Sequence, residues 1–302
     1  MTPKHIILTL LLMLCPIGMA AQSTIKRNKP KPAVMKPKPA AKPKAKPKAK
    51  PKPAPRRNST SHSGSTSSTV SLSAELNKLI NNMVYVSGGT FTMGATSEQE
   101  SDADPDEKPT HSVTLSSYYI CKYEVTQALW RAVMGSNPSE FKGDNLPVEC
   151  VNWFDCQTFI NRLNSYTGRN FRLPTEAEWE FAARGGNYSR HHKYSGSNHI
   201  GYVAWYGENS GTRTHSVGTK QANELGLFDM SGNVWEWCND WEGTYNSYSQ
   251  TDPTGPNNGS YRVLRGGSWT NQDWGCRSST RGYFPPIDRD SNFGLRLALS
   301  HL

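Results

Sequence analysis

The sequence predicts an α+β domain with much irregular loop structure, and three observations support this fold class. Helical periodicity with capping residues is confined to a few short stretches before residue 187. The predicted strands are short and are bounded by glycine or polar residues. From Asn187 onward no clear helix is predicted, and this part of the chain is rich in Gly, Asn, Ser, Trp and Tyr. We therefore expect loops to dominate the second half of the domain.

The predicted strands are recognised from apolar runs, from alternation of apolar and polar residues, and from flanking turn residues. Gly88-Gly89 lies between two such runs and indicates a strand, a tight turn and a second strand. The predicted strands are Met83–Val86, Phe91–Gly94, Ser112–Ile120, Tyr261–Leu264 and Leu295–Leu299.

Four helices are predicted from apolar periodicity and from the residues at their ends. Thr126 can cap the second helix, and Thr175 with Glu178 forms a capping box at the fourth. Glycines follow the second, third and fourth helices, where they commonly end a helix. One face of the third helix carries Cys156, Phe159, Ile160 and Leu163 at helical spacing. The predicted helices are Ala74–Asn82, Gln127–Met134, Trp153–Tyr166 and, with its cap, Thr175–Ala183.

Residues 1–21 have the features of a secretory signal peptide. Lys4 precedes an apolar stretch from Ile6 to Cys15, and small residues follow. We therefore expect export to the periplasm or the cell surface. Cys15 also allows a lipoprotein interpretation, but Leu14 stands where a small residue is expected, so removal of Cys15 with the signal peptide is favoured.

Residues 22–73 are predicted to be a disordered linker, first rich in Lys and Pro and then in Ser and Thr. Fourteen basic residues and no acidic residue lie between Lys26 and Arg57. Proline and like-charge repulsion favour an extended spacer. Such a tether could contact anionic wall polymer or lipopolysaccharide, or it could be a solvated spacer without a specific partner.

The charge of the chain is unevenly distributed. Of 34 basic residues, 14 lie in the linker and one is Lys4, which leaves 19 against all 25 acidic residues and a net charge of about −6 for the rest. The basic character therefore belongs to the tail, and it does not indicate nucleic-acid binding. No apolar run reaches the ~18 residues of a spanning helix, which excludes a multi-pass membrane protein.

The predicted domain, residues 74–302, resembles the formylglycine-generating enzyme (sulfatase-modifying factor) family. Six sequence blocks carry the resemblance in family order: Met83–Gly94, Tyr123–Thr126, Arg172–Glu180, Gly232–Trp237, Arg265–Trp269 and Asn292–Arg296. The resemblance implies a C-type-lectin-like formylglycine-generating-enzyme fold. It also implies a function in which family enzymes use O₂ and copper to oxidise a sulfatase cysteine to formylglycine.

The enzymes that resemble this chain carry two cysteines five residues apart, shortly after a Gly-Gly-Ser. Counted from Gly266-Gly267-Ser268, these positions are Asn271 and Cys276. Copper(I) prefers two soft thiolates, and an amide is a poor replacement. Cys276 and Ser268 are therefore candidate catalytic residues only if the chain is an oxidase.

The resemblance also implies a calcium site in the loop Asp229–Glu236. Carried over position by position, its ligands are the Asp229 and Glu236 side chains and the Gly232 and Val234 carbonyls. Calcium takes oxygen ligands of this kind. Alternatively, the two carboxylates only stabilise turns.

The cysteines outside the signal peptide allow structural disulfides, because an exported protein can form them. Cys238 with Cys276 is the preferred pair, since each lies beside a family block expected to be close in the fold. Cys150 with Cys156 is the second candidate pair, and free buried thiols are the alternative.

Two functions follow from these observations. The first is an exported, tethered, non-catalytic member that binds a protein or glycan as a component of the cell envelope. The second is a formylglycine-generating oxidase acting on a sulfatase cysteine. The Asn271 and Cys276 pair distinguishes them and favours the first. Trp269 and Trp274 are the tryptophans expected to face a site.

Overall fold

The computed structural model describes residues 65–300, with side chains described for 72–99 and 102–300. The predicted signal peptide lies outside the described residues, and so does most of the predicted linker. Helix α1 begins at Ser65, earlier than the helix predicted over Ala74–Asn82, so the Ser/Thr-rich stretch assigned to the linker is helical from Ser65 onward. No helix within residues 65–300 is both long and apolar enough to span a bilayer.

The α-helices of residues 65–300 agree with the predicted set except for α1 and one added helix, and four short 3₁₀ helices occur besides them. They are α1 (Ser65–Asn81), α2 (Gln127–Met134), α3 (Trp153–Thr167), α4 (Glu176–Ala183) and α5 (Ile200–Val203). The single-turn α5 was not predicted.

The helix ends follow from local chemistry. The Thr126 hydroxyl accepts a hydrogen bond from Leu129 N, and the predicted capping box of Thr175 and Glu178 forms at α4. A second capping box, made by Asn152 and Asp155, opens α3 and was not recognised in the sequence.

The same residues form eleven strands arranged in three sheets. The strands are β1 (Met83–Val86), β2 (Gly89–Met93), β3 (His111–Leu115), β4 (Tyr118–Cys121), β5 (Phe171–Arg172), β6 (Trp235–Trp241), β7 (Gln250–Thr251), β8 (Arg262–Arg265), β9 (Arg281–Phe284), β10 (Phe293–Gly294) and β11 (Ala298–Ser300). The sheet orders are β1-β4-β11-β5, β10-β6-β8-β9 and β2-β3-β7, in which β10–β6 and β3–β7 are the parallel pairs.

One strand prediction was wrong in detail, and the predicted tight turn at Gly88-Gly89 joins strands of different sheets. β1 and β2 do not pair as a hairpin: β1 pairs with β4, and β2 pairs with β3. The predicted strand Ser112–Ile120 is broken between β3 and β4. At the break, Asp252 accepts hydrogen bonds from Ser116, and the Ser117 hydroxyl accepts one from Gly88 N.

The C-terminal strand prediction was also only partly right. Leu295–Leu297 lies between β10 and β11 and is not part of a strand. Its carbonyls are nevertheless paired, because Leu295 O accepts from Val125 N and Leu297 O accepts from Cys121 N.

Two large apolar clusters form the core. In the first, α1, α2 and α3 pack against β6 and the segment Phe293–Leu297, and Trp130 stacks on Phe159 with ring centroids 4.8 Å apart. The second surrounds α4, all eight residues of which are buried. Burial of α4 on every side places its three glutamates inside the protein, where each requires a partner.

Arginines supply these partners: the partly exposed Arg172 pairs with Glu178, and buried arginines pair with Glu176 and Glu180. Four arginines with completely or nearly completely buried side chains pair with buried carboxylates: Arg265–Glu180, Arg277–Glu107, Arg281–Glu176 and Arg296–Glu236. Each also donates to backbone carbonyls, and most of these belong to loops. Arg265, for example, donates to the carbonyls of Ser278, Ser279 and Thr280. Because buried carbonyls require donors, these guanidinium groups stabilise irregular backbone that no sheet covers.

We predict that Arg277→Ala lowers the free energy of unfolding by about 3–5 kcal/mol, because it leaves the Glu107 carboxylate buried without its counterion. The matched control is Arg131→Ala, which removes an exposed pair with Asp144 and should cost about 1 kcal/mol or less. Chemical denaturation of both variants measures the difference, and equal losses would contradict it.

Candidate functional site

The loop after β8 carries the residues at the two predicted copper positions. Gly266 and Gly267 both have positive φ. At Gly267 a Cβ atom would lie 2.5 Å from Gly275 O and 2.7 Å from Cys276 Sγ. The loop can therefore close tightly on itself only with glycine here, and this closure covers Cys276.

The Cys276 thiol is sealed inside the protein. Its residue is fully buried beside Ala204 and Tyr206, and Sγ lies 4.0 Å from Ser268 O. Burial raises the pKa of Cys276 to about 12. At neutral pH the group is therefore a protonated thiol, which is a poor nucleophile and a poor metal ligand.

The Asn271 side chain stabilises the same turn. Its Oδ1 accepts a hydrogen bond from Ser268 Oγ at 2.7 Å, and the backbone carbonyl of Asn271 accepts one from Gly207 N at 2.7 Å. Ser268 is itself fully buried. The structure thus brings Ser268, Asn271 and Cys276 together, but the donor set of one amide and one protonated thiol does not fit a two-thiolate copper(I) site.

All five cysteines of the described residues carry free thiols, so neither predicted disulfide is formed in this structure. Cys238 belongs to the apolar cluster around α4, whereas Cys276 belongs to a small separate cluster. Cys156 faces the core from α3. Cys150 is only partly buried, and burial beside Glu149 raises its pKa to about 12. Cys238 and Cys276 therefore lie in different apolar clusters, although each is beside a family block that was expected to be close in the fold.

The predicted calcium loop has an unusual backbone. Asp229, Gly232 and Asn233 all have positive φ. A Cβ at Gly232 would lie 2.3 Å from Trp205 O, so a side chain is excluded there. Asp229 is buried, and its Oδ2 accepts a hydrogen bond from Gly218 N at 2.7 Å. Its Oδ1 is buried without a hydrogen-bond partner within the described part of the chain.

The Glu236 carboxylate, the other predicted side-chain ligand, is already engaged. Arg296 donates to both of its oxygens, and Trp179 Nε1 donates to Oε2 at 2.6 Å. The predicted ligand pair is therefore unequal: Asp229 offers a buried, unsatisfied oxygen, whereas Glu236 is neutralised by a guanidinium.

Sequence reasoning missed Glu124 as a third carboxylate of this cluster. Glu124 is buried and accepts hydrogen bonds from Asn233 Nδ2 at 2.6 Å and from Val234 N at 3.1 Å. Burial, together with the charges of Asp229 and Glu236, raises the pKa of Glu124 well above its usual range. The block Tyr123–Thr126 was the available signal, because it is a family block that contains an acid.

Three buried carboxyl groups surround one guanidinium group in this cluster. Arg296 pairs with Glu236, and its charge opposes the rise in the pKa of Glu124 and of Asp229. Burial raises the pKa of Asp229 to about 6. Among residues 65–300 no three His, Cys, Asp or Glu side chains are arranged to hold a metal ion. Of the two predicted side-chain ligands, Asp229 therefore has a carboxylate oxygen without a hydrogen-bond partner among the described residues, whereas both oxygens of Glu236 are engaged by Arg296.

The outer face of the Cys276 loop is exposed. Thr270, Gln272, Asp273 and Trp274 are exposed, and Trp274 retains 37% of its accessible surface. The Trp274 carbonyl is held from inside by Arg277 Nε at 2.8 Å and by the Thr280 hydroxyl at 3.0 Å.

Trp269 is half-buried beside this exposed face. Its Nε1 donates to Ser291 O, and its ring meets Phe141 edge to face. The loop thus presents side chains to solvent on a backbone fixed from within.

Comparisons with known proteins agree with this architecture. The sequence model of the "sulfatase-modifying factor enzyme 1-like domain" matches residues 69–301. The chaperone protein LppX of Paenibacillus barcinonensis is 35% identical over 73% of this chain and 90% of that protein. The formylglycine-generating enzyme of Streptomyces coelicolor is 35% identical over 65% of this chain and 65% of the enzyme.

Two solved structures support the predicted α+β, loop-rich fold. Treponema denticola variable protein 1 is 35% identical with a TM-score of 0.66, over 72% of this chain and 95% of that protein. PvdO from Pseudomonas aeruginosa is 29% identical with a TM-score of 0.62, over 72% and 94% respectively.

We predict that, with calcium chelated, the contribution of Asp229 to stability falls as the pH rises from about 4 to 7. Folding raises the pKa of Asp229 from 3.8 to about 6, so the folded state binds this proton more tightly, and its contribution is lost above the raised pKa. The loss should reach the order of 3 kcal/mol. Asp229→Asn, which retains an acceptor for Gly218 N, should flatten the decrease. Denaturation at several pH values tests this, and an unchanged profile in the variant would contradict it.

Proposed function

This chain belongs to the sulfatase-modifying factor enzyme 1-like domain family, and we propose that it is a non-catalytic, exported member that binds a protein of the cell envelope. The Lys/Pro-rich segment tethers the domain, and the exposed face of the loop Trp269–Trp274 is the binding surface. The buried, protonated thiol of Cys276 opposite the Asn271 amide is the observation on which the proposal mainly depends.

A formylglycine-generating oxidase is the alternative, since two of the relatives named for that activity are about 30–35% identical to this chain. That chemistry requires thiolates that can hold copper(I). Asn271 supplies no sulfur, and Cys276 retains its proton. Recruitment of Cys238 is disfavoured because its thiol is buried in another cluster, where burial raises its pKa well above the usual range.

The loop has the properties of a binding surface. A tryptophan ring exposed on a fixed backbone loses little conformational freedom when a partner binds. Trp274 is held in this way by Arg277 and Thr280 through its carbonyl. Tryptophan is also enriched among the residues that dominate protein interfaces.

A protein partner is favoured over a glycan by one comparison. The relative LppX, which this chain spans almost completely, is named as a chaperone protein. A glycan ligand remains an outcome that the binding test distinguishes. The tail of 14 cations adds a possible contact with anionic wall polymer or lipopolysaccharide.

A calcium ion is part of the proposal. Asp229 Oδ1 and the Gly232 and Val234 carbonyls would hold it, and its charge would offset the excess of buried carboxylates. The ion would then stabilise the backbone to which Trp269 N is bonded through Asn233 O.

We predict that calcium raises the melting temperature of the full chain relative to a sample in chelator. Ligand at 100 times its Kd contributes about 2.7 kcal/mol, which corresponds to a shift on the order of 5–10 °C for a domain of this size. Asp229→Ala should abolish the shift, while Asp144→Ala, an exposed carboxylate elsewhere, should retain it. No shift in the unmodified chain would remove calcium from the proposal.

The catalytic half of the proposal is tested with the full chain loaded with copper(I) in air and a peptide containing Cys-x-Pro-x-Arg. Mass spectrometry should detect no aldehyde, and Asn271→Cys should not create activity, because Cys276 remains buried. Turnover that is lost in Cys276→Ser would make the oxidase the correct function.

The binding half is tested by crosslinking the full chain to isolated cell envelopes and then measuring affinity for each purified candidate. Trp274→Ala should weaken binding at least about tenfold, and Tyr166→Ala, an exposed aromatic residue on α3, should not. Binding that persists after the envelope proteins are removed but is lost after deglycosylation would indicate a glycan ligand. Equal binding by both variants would place the surface elsewhere.

A further inference from the structure

A cavity of about 370 Å³ lies between the N-terminus of α4, the end of β6, the loop over residues 243–256 and the start of β9. It shares no lining residue with the Cys276 loop or with the Asp229 loop. Its volume is in the range of sites for small molecules or for a single side chain. The residues that decide its chemistry are His111, Glu176, Asp240, Tyr245, Asn246 and Arg281.

One carboxylate in the cavity wall is fully neutralised. Arg281 donates to both oxygens of Glu176, at 2.7 and 2.9 Å, and the Tyr245 hydroxyl donates to the same group. Arg281 also donates to the carbonyls of Asp106 and Gly243. Four of its five N–H donors are therefore occupied, and its charge is balanced by Glu176, so it is not a free anion-binding group.

The second carboxyl group, Asp240, has no such neutralisation. The residue is 3% exposed, and its Oδ2 accepts a hydrogen bond from Glu176 N at 3.0 Å. Within residues 65–300 no ion pair is made to Asp240 and no further hydrogen bond engages Oδ1. Gly255, with φ of +74°, approaches this oxygen, because a Cβ there would lie 3.2 Å from it. The loop therefore comes close without covering Asp240 with a side chain.

A buried carboxyl group beside other carboxylates is costly to ionise unless a cation joins it. The cavity supplies room for such a cation next to Asp240. We propose that this cavity binds an organic cation, an alkylammonium or guanidinium group, which pairs with Asp240 Oδ1. The source of that group is either a small free amine or a basic side chain of a polypeptide.

The chemistry of the wall favours an organic cation over a metal ion. No three His, Cys, Asp or Glu side chains of the described residues are placed to coordinate a metal. The rim instead carries the hydroxyl of Thr244 and the amide of Asn246. Hydroxyl and amide oxygens accept hydrogen bonds from an ammonium or guanidinium group, and Tyr245 and His111 offer contact for an alkyl chain.

The pairing should depend on pH through Asp240. Burial and the charges of Glu176 and Glu178 raise the pKa of Asp240 well above its usual range. A cation binds the ionised form, so its affinity should rise as the pH increases. The charged or titratable groups that face Asp240 or the cavity lie on several elements: Glu176 and Glu178 on α4, Arg281 on β9, Arg262 on β8, Arg172 on β5, Cys238 on β6, His111 on β3 and Tyr245 in the loop after β6.

The test is calorimetric titration of the full chain with a lysine derivative blocked at both backbone ends. The blocked norleucine derivative, which has the same alkyl chain without the charge, is the matched control. The proposal requires binding of the lysine probe that tightens between pH 5.5 and 8.5, at least about tenfold weaker binding of the norleucine probe, and competition by the blocked arginine derivative. Equal binding of the two probes, or binding of neither, overturns it.

Variants locate the site. Asp240→Asn retains an acceptor for Glu176 N. It should weaken binding of the lysine probe at least about tenfold and flatten the pH dependence of that binding. Asp144→Asn, which changes an exposed carboxylate, should have no effect. If Asp240→Asn does not fold, Asn246→Trp blocks the exposed rim without altering the buried wall and should abolish binding. Unchanged affinity in a folded Asp240→Asn or in Asn246→Trp would place the probe elsewhere.

A second titration distinguishes the two sources of the cation. It compares the affinity of the blocked lysine with that of a Lys-Pro-Lys-Pro peptide, the sequence of residues 36–39. Affinity equal to that of the blocked lysine supports recognition of the terminal group alone, as in a free amine. Affinity at least tenfold higher supports a polypeptide source, which includes the basic segment of this chain.

Discussion

Guanidinium groups buried against carboxylates are the interaction on which most of this structure depends. Arg265, Arg277, Arg281 and Arg296 each combine a buried ion pair with donors to backbone carbonyls. A guanidinium has five donors, so one residue can satisfy a carboxylate and two or three carbonyls together. A domain with few long strands needs such donors, because buried backbone that no strand pairs must still be hydrogen-bonded.

This constraint also explains why sequence predicted some elements well and others poorly. Thr126 and the Thr175–Glu178 box act within one turn, so local chemistry sufficed for α2 and α4. Gly88-Gly89 was predicted as a tight turn between two strands, but these strands lie in different sheets, and Gly88 N donates to the Ser117 hydroxyl, which is distant in sequence. The longest strand of the described residues, β6, was not predicted. Its acids Glu236 and Asp240 are buried like its tryptophans, because they bind partners that are distant in sequence.

At the candidate site, the sequence likewise predicted which residues are present but not the environment of each one. Asn271, Cys276 and Asp229 could be named from the family blocks, because their spacing from those blocks is short. Their burial and protonation could not be predicted, because the burial of Cys276, for example, depends on Ala204 and Tyr206, which are distant in sequence. Glu236 was expected to bind calcium, yet Arg296, sixty residues away, occupies it. Partners that meet only in the folded chain decide the charge of each group.

The buried arginines also fix the backbone of the exposed loop Trp269–Trp274. The Trp274 carbonyl is held by Arg277, whose charge is balanced by Glu107, so the loop conformation does not depend on the exposed side chains of Thr270, Gln272, Asp273 or Trp274. Such side chains can therefore change without a large cost in folding free energy. A catalytic copper pair would instead require two thiolates at fixed positions. Because the loop is held from within, its conformation is independent of its exposed side chains, which is the property that the proposed binding surface requires.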